Sequence, residues 1–102
     1  MSAAKQKAQQ IIEQNPVVVF SKSYCPYCRA SKSLLDQKHA KYYLLELDEV
    51  DDGPAIQDAL EEITGQRTVP NIFIGHKHIG GNSDLQAKKG QLDGLLKTVG
   101  AI

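Results

Sequence analysis

Val17-Val18-Val19-Phe20 is a continuously apolar run, and the segment just beyond it constrains the fold most: Lys22-Ser23-Tyr24-Cys25-Pro26-Tyr27-Cys28 carries the only two cysteines of the chain, three residues apart. The run reads as a buried strand. After it, Cys28, Ser31, Leu34 and Leu35 recur on one helical face while Arg29, Lys32 and Asp36 point elsewhere. A strand that leads into an amphipathic helix opened by a CxxC pair reads as a redox site. With a helix starting at Cys25, the first thiol lies among unpaired backbone N–H groups at the positive end of the dipole, which favours thiolate over thiol. Lys22 adds a further positive charge just upstream. Cys28 lies one turn further in on the same face, within reach of Cys25 for a small disulfide ring.

The rest of the chain alternates helix and strand. Ala8, Ile11 and Ile12 follow helical spacing in a segment that ends at Asn15-Pro16. Tyr42 to Leu47 is rich in aromatic and aliphatic residues and reads as a second strand. Asp51-Asp52-Gly53-Pro54 then supplies turn chemistry, a candidate N-cap and an early helical proline. Ile56, Ala59, Leu60 and Ile63 mark the core face of that helix, and Gly65 is placed to end it. Asn71 to Ile74 and Lys77 to Ile79 flank Gly75-His76, which predicts an antiparallel hairpin. A last helical stretch, broken at Gly90, carries the stripe Leu92, Leu95, Leu96 and Val99. This order predicts an α/β sandwich with a small mixed sheet, parallel in its first two strands.

A chain of 102 residues is expected to form a single domain, 1–102, with one core. Twelve acidic and twelve basic residues balance, so neither a nucleic-acid nor an anionic-membrane footprint is written into the charge. The N-terminal residues stay polar and no apolar run approaches the roughly 20 residues of a membrane span. Two cysteines cannot build a stapling framework, and a CxxC pair without other thiols points to a reducing compartment, read here as cytoplasmic. With both thiols committed to one site, the default is a monomer. A zinc site needs partners at closer spacing; His76 and His78 lie far downstream, where strand alternation turns both the same way. His39, near the end of the cysteine helix, is placed as a partner for the helix dipole.

Cys25-Pro26-Tyr27-Cys28, Thr68-Val69-Pro70 and Gly80-Gly81-Asn82-Ser83-Asp84, at these separations, resemble the dithiol, CPYC-type glutaredoxins of the thioredoxin superfamily, over essentially the whole chain. The resemblance implies an α/β thioredoxin fold, a four-stranded mixed sheet flanked by about five helices. It also implies glutathione-dependent reduction of protein disulfides and of protein–glutathione mixed disulfides. Cys25 is then the nucleophile and Cys28 the resolving thiol, and glutathione is the reducing co-substrate with no metal required.

The same resemblance assigns the glutathione contacts. Tyr27 lines the binding groove, and Thr68, Val69 and Pro70 form its backbone edge. Pro70 is cis in this family, although an X-Pro bond carries only a ~5–6% cis prior, so that Val69 binds the ligand like an added strand. Gly81-Asn82-Ser83-Asp84 resembles the start of a helix whose free N–H groups receive the γ-glutamyl carboxylate, with Gly81 and Ser83 as contacts and Asp84 paired with the amine. Lys22 and Gln66, helped by Arg67, take the glycine carboxylate. The expected partners are glutathione and glutathionylated or disulfide-containing proteins. Two other functions compete. An iron–sulfur cluster-carrying glutaredoxin is disfavoured by Pro26, since such relatives carry CGFS or CSYC. A glutathione-independent thioredoxin typically carries CGPC and lacks the GGxxD segment.

Overall fold

The computed structural model describes residues 2–102. The elements run α1 (Ala3–Gln14), β1 (Val17–Ser21), α2 (Pro26–Gln37), β2 (Tyr43–Glu46), α3 (Gly53–Thr64), β3 (Asn71–Ile74), β4 (Lys77–Gly80) and α4 (Asn82–Ala87). A 3-10 turn (Lys89–Gln91) and α5 (Leu92–Thr98) come last. The strands form one sheet in the order β2-β1-β3-β4. β1 pairs parallel with β2 and antiparallel with β3, and β3 pairs antiparallel with β4. This is the thioredoxin-type mixed sheet that the motifs implied. Among the described residues no helix is long and apolar enough to cross a membrane.

Every residue of β1 is buried, and strand alternation explains why the run is apolar without interruption. Val17 and Val19 pack with Leu34, Leu35, Leu85, Leu92 and Leu96 on one face. Val18 and Phe20 pack with Ile11, Ile56, Leu60 and Phe73 on the other. α2, α4 and α5 thus cover one side of the sheet and α1 and α3 the opposite side. Phe20 and Phe73 meet edge to face, their centroids 6.0 Å apart.

Local chemistry sets the joints. Gly65 ends α3 at φ 81, the left-handed conformation expected of a C-terminal glycine. Gly75 and His76 both have positive φ, 59 and 69, as a tight hairpin turn requires. His76 is therefore a turn residue and shares no strand face with His78. Its Nδ1 lies 2.8 Å from the Ile12 carbonyl oxygen. His78 instead packs on Phe73 and its Nε2 lies 2.9 Å from Asn71 Oδ1. His39 is exposed at φ 59, and it is its backbone N–H that closes the end of α2, on the Asp36 carbonyl. Asp52 precedes α3 without capping it through its side chain, and its carboxylate pairs with Lys7 of α1 at 2.9 Å. β2 is an edge strand, and Tyr43 and Leu44 stay exposed at its open side.

Phe20 joins the central strand to α1 and α3. Phe20→Ala is expected to lower unfolding free energy by about 3–5 kcal/mol, read by urea denaturation with an unchanged m-value. A loss below about 1 kcal/mol would mean that this side of the sheet carries little of the stability.

Candidate active site

At the end of β1 the chain turns through Lys22–Tyr24, and Cys25 becomes the N-cap of α2, in extended conformation with φ −85 and ψ 121. The helix begins one residue later than its sequence pattern suggests, at Pro26, where the missing N–H costs nothing. Cys25 Sγ accepts the backbone N–H of Cys28 at 3.4 Å, so sulfur takes the place usually held by a serine or aspartate oxygen. The turn is pinned on both sides. Asp48 accepts the Ser23 N–H at 2.9 Å and the Ser23 hydroxyl through its other oxygen. Arg29 Nη2 donates to the Tyr24 carbonyl at 3.4 Å.

The two thiols are driven apart in acidity. Burial pushes Cys25 up, the largest single influence, but the Cys28 N–H, the Cys28 thiol, the Tyr27 N–H and the Arg29 charge together hold it below the ordinary thiol range. Cys28 is fully buried. That burial raises it, the Ser21 hydroxyl and the Lys22 N–H at 3.5 Å offset only part of the rise, and the neighbouring Cys25 sulfur raises it further. Both thiols are free. An accessible, acidic sulfur thus stands in front of a buried, less acidic one.

Beside Cys25 lies a groove of about 470 Å3 lined by Tyr27, Thr68, Val69, Pro70, Gly81, Asn82 and Ser83. The Val69-Pro70 bond is cis, and the Val69 carbonyl oxygen is 3.9 Å from Cys25 Sγ. The structure thereby gathers Tyr27, the Thr68–Pro70 segment, Gly81 and Ser83 from three distant stretches of sequence. Other depressions, of about 430 and 300 Å3, surround Pro16 at the far end of β1 from the thiols.

The remaining sequence candidates are placed differently. Gln66 Nε2 donates to the carbonyls of both Thr68 and Pro70, at 3.0 Å each, and so braces the loop from behind. Arg67 is paired with Asp58 of α3. Asp84 Oδ2 accepts the Gly81 N–H at 2.9 Å and caps α4, which leaves its other oxygen for a ligand. Lys22 is half-buried in the turn, and its charge bears on Asp48. The cation that acts on Cys25 is Arg29, which helical position had turned away from the site. Its spacing, four residues after Cys25 and so one turn along α2, was the available signal. Asp48 was missed, since it reaches the site only through Ser23, a partner distant in sequence.

The family profile described as Glutaredoxin matches residues 17–79. The chain belongs to the glutaredoxin family. It is similar to a glutaredoxin of Ricinus communis, 56% identical over 101 residues, with 97% of this chain and 99% of the relative covered. Glutaredoxin-C2 of Arabidopsis thaliana is 55% identical, over 97% of this chain and 91% of the relative. Among solved structures, the buckwheat glutaredoxin–glutathione complex matches with a TM-score of 0.93 at 53% identity, over 97% of this chain and 92% of that one. As a glutaredoxin the protein is an oxidoreductase, and Cys25-Pro26-Tyr27-Cys28 fits the CPYC type of the family.

The lowered Cys25 pKa sets a pH dependence. Thiolate persists as pH falls below the ordinary thiol range, so iodoacetamide alkylation of Cys25 should stay fast there and fall off only at lower pH. Arg29→Gln removes a charge that favours thiolate, and the fall-off should move upward. An unchanged or lower midpoint in that variant would remove Arg29 from the site's electrostatics.

Proposed function

We propose that this glutaredoxin uses glutathione to reduce protein–glutathione mixed disulfides and protein disulfides, with Cys25 as nucleophile and Cys28 as resolving thiol. The observation that carries the reading is the split in thiol acidity at the α2 N-cap, directly beside the groove. A thiolate at Cys25 is ready to attack, and the same low basicity makes it a good leaving group.

In the monothiol route Cys25 thiolate attacks the glutathione sulfur of a glutathionylated protein. The Cys25–glutathione disulfide forms, and the protein sulfur leaves as a thiolate that takes a proton from solvent. A second glutathione thiolate then attacks the glutathione sulfur, forming glutathione disulfide and releasing Cys25. In the dithiol route Cys25 attacks a protein disulfide. Cys28 then loses its proton to solvent and attacks the Cys25 sulfur, which expels the protein's sulfur as a thiolate that takes up a proton and leaves a Cys25–Cys28 disulfide, which two glutathiones reduce with formation of glutathione disulfide. Burial pushes the Cys28 thiol up and so disfavours its thiolate, which favours the monothiol route whenever glutathione is abundant.

The groove supports glutathione as the ligand, and so does the glutathione complex of the buckwheat relative. In this reading Tyr27 and the Thr68–Pro70 segment contact the tripeptide along its length. Gly81, Ser83 and the free oxygen of Asp84 meet the γ-glutamyl end. Lys22 is the cation left for the glycine carboxylate, with Gln66 holding the loop in place. A cytoplasmic monomer fits the same reading: the thiols belong to one site, and a free CxxC pair is what a reducing compartment maintains.

The test is removal of glutathione from a glutathionylated peptide with reduced glutathione as the only reductant. Cys28→Ser should retain this activity and Cys25→Ser should abolish it. Asp84→Ala should raise the KM for glutathione severalfold while Cys25 alkylation is unchanged. Full turnover by Cys25→Ser would end the assignment.

A further inference from the structure

Asn71 opens β3 directly after Pro70 of the groove wall, and it is buried, only 1% exposed. It pairs with Phe20 across the sheet and so lies on the face covered by α1 and α3. A buried amide needs partners at both ends. Nδ2 donates to the backbone carbonyl of Gln66 at 3.3 Å, and Oδ1 lies 2.9 Å from Nε2 of His78. His78 stands opposite Phe73 on β4 and shares that face. The far end of this chain of contacts fixes its polarity. A carbonyl only accepts, so the Gln66 contact requires Nδ2; Oδ1 therefore faces His78, which must donate from a protonated Nε2.

Gln66 is the residue on which these contacts bear. Thr64 Oγ1 accepts its N–H at 3.0 Å, Asn71 holds its carbonyl, and its own Nε2 holds the carbonyls of Thr68 and Pro70. The residues on either side of Val69 are thus tied to a side chain whose backbone is fastened to β3. We propose that Asn71 and His78 are positioning residues for glutathione: Asn71 sets Gln66, and through it the Thr68–Pro70 wall, while Nε2–H of His78 holds Asn71 in the orientation that does so. This rests on the glutathione reading above and extends it to the edge strand β4. Neither residue lines the groove. An extended ligand lying along Thr68–Pro70 reads the spacing of their backbone groups, so a wall free to shift loses affinity while the thiol chemistry stays.

Imidazole nitrogen NMR, with glutathione-driven turnover of a glutathionylated peptide, tests it. In the neutral ring of His78 the proton should reside on Nε2, and an Nδ1–H ring would overturn the role of His78. Asn71→Ala should raise the KM for glutathione about tenfold and His78→Ala about threefold, while kcat and Cys25 alkylation change by less than about twofold. His78→Gln sets an amide N–H near the position of Nε2 and should return KM to within about twofold of wild type. Because His78 works through Asn71, His78→Ala should add nothing in the Asn71→Ala background, and additive effects would overturn that link. A KM within about twofold of wild type in folded Asn71→Ala would overturn the proposal and leave the glutathione reading intact. Should Asn71→Ala not fold, the His78 pair decides: the same KM in His78→Ala and His78→Gln would overturn the proposal. Absence of glutathione-driven turnover in the wild type would overturn the reading on which it rests.

Discussion

A single N-cap organises this protein. Cys25 stands where a helix needs an acceptor for its first N–H groups, and supplying that acceptor from sulfur makes the thiol acidic. The catalytic property is thus a by-product of satisfying the backbone. It depends on β1 delivering the chain to that point, on Pro26 starting the helix at once, and on Asp48 and Arg29 holding the turn between them. Cys28, drawn under the surface by the same helix, acquires the opposite character through burial.

The groove rests on a related arrangement, in which polar side chains around it are engaged by the protein itself. Gln66 braces Thr68 and Pro70, Asp84 caps α4, and Ser31 with Gln86 aligns Asn82. A binding surface built this way is ordered before the ligand arrives, and preorganised donors lose little freedom on binding. The packed layers on both faces of the sheet make that order possible. β1 is the shared floor, and the helix that carries the thiols is seated by Leu34 and Leu35 in the same core as Val19 rather than by the ligand.

Much of this was legible in the chain itself. The run Val17 to Phe20, the stripe Cys28, Ser31, Leu34 and Leu35, and the Gly75-His76 turn each announce local geometry, because period and turn preference depend on a few neighbouring residues. The CPYC, TVP and GGNSD segments named the family. Periodicity misjudged His76, since a hairpin turn interrupts strand alternation at the residue where it was applied.

Local pattern therefore settled the elements, their buried faces and the identity of the reactive pair. It did not settle which polar groups remain available for a ligand. Gln66 and Arg67 carry the right chemistry for a carboxylate but are engaged by Thr68, Pro70 and Asp58, and Asn82 meets a serine 51 residues away. Arg29 reaches the active-site turn, and Lys22, nearer in the sequence, answers to Asp48. A hydrogen-bonding group has a limited number of partners, and only the packing of distant segments decides which ones it meets.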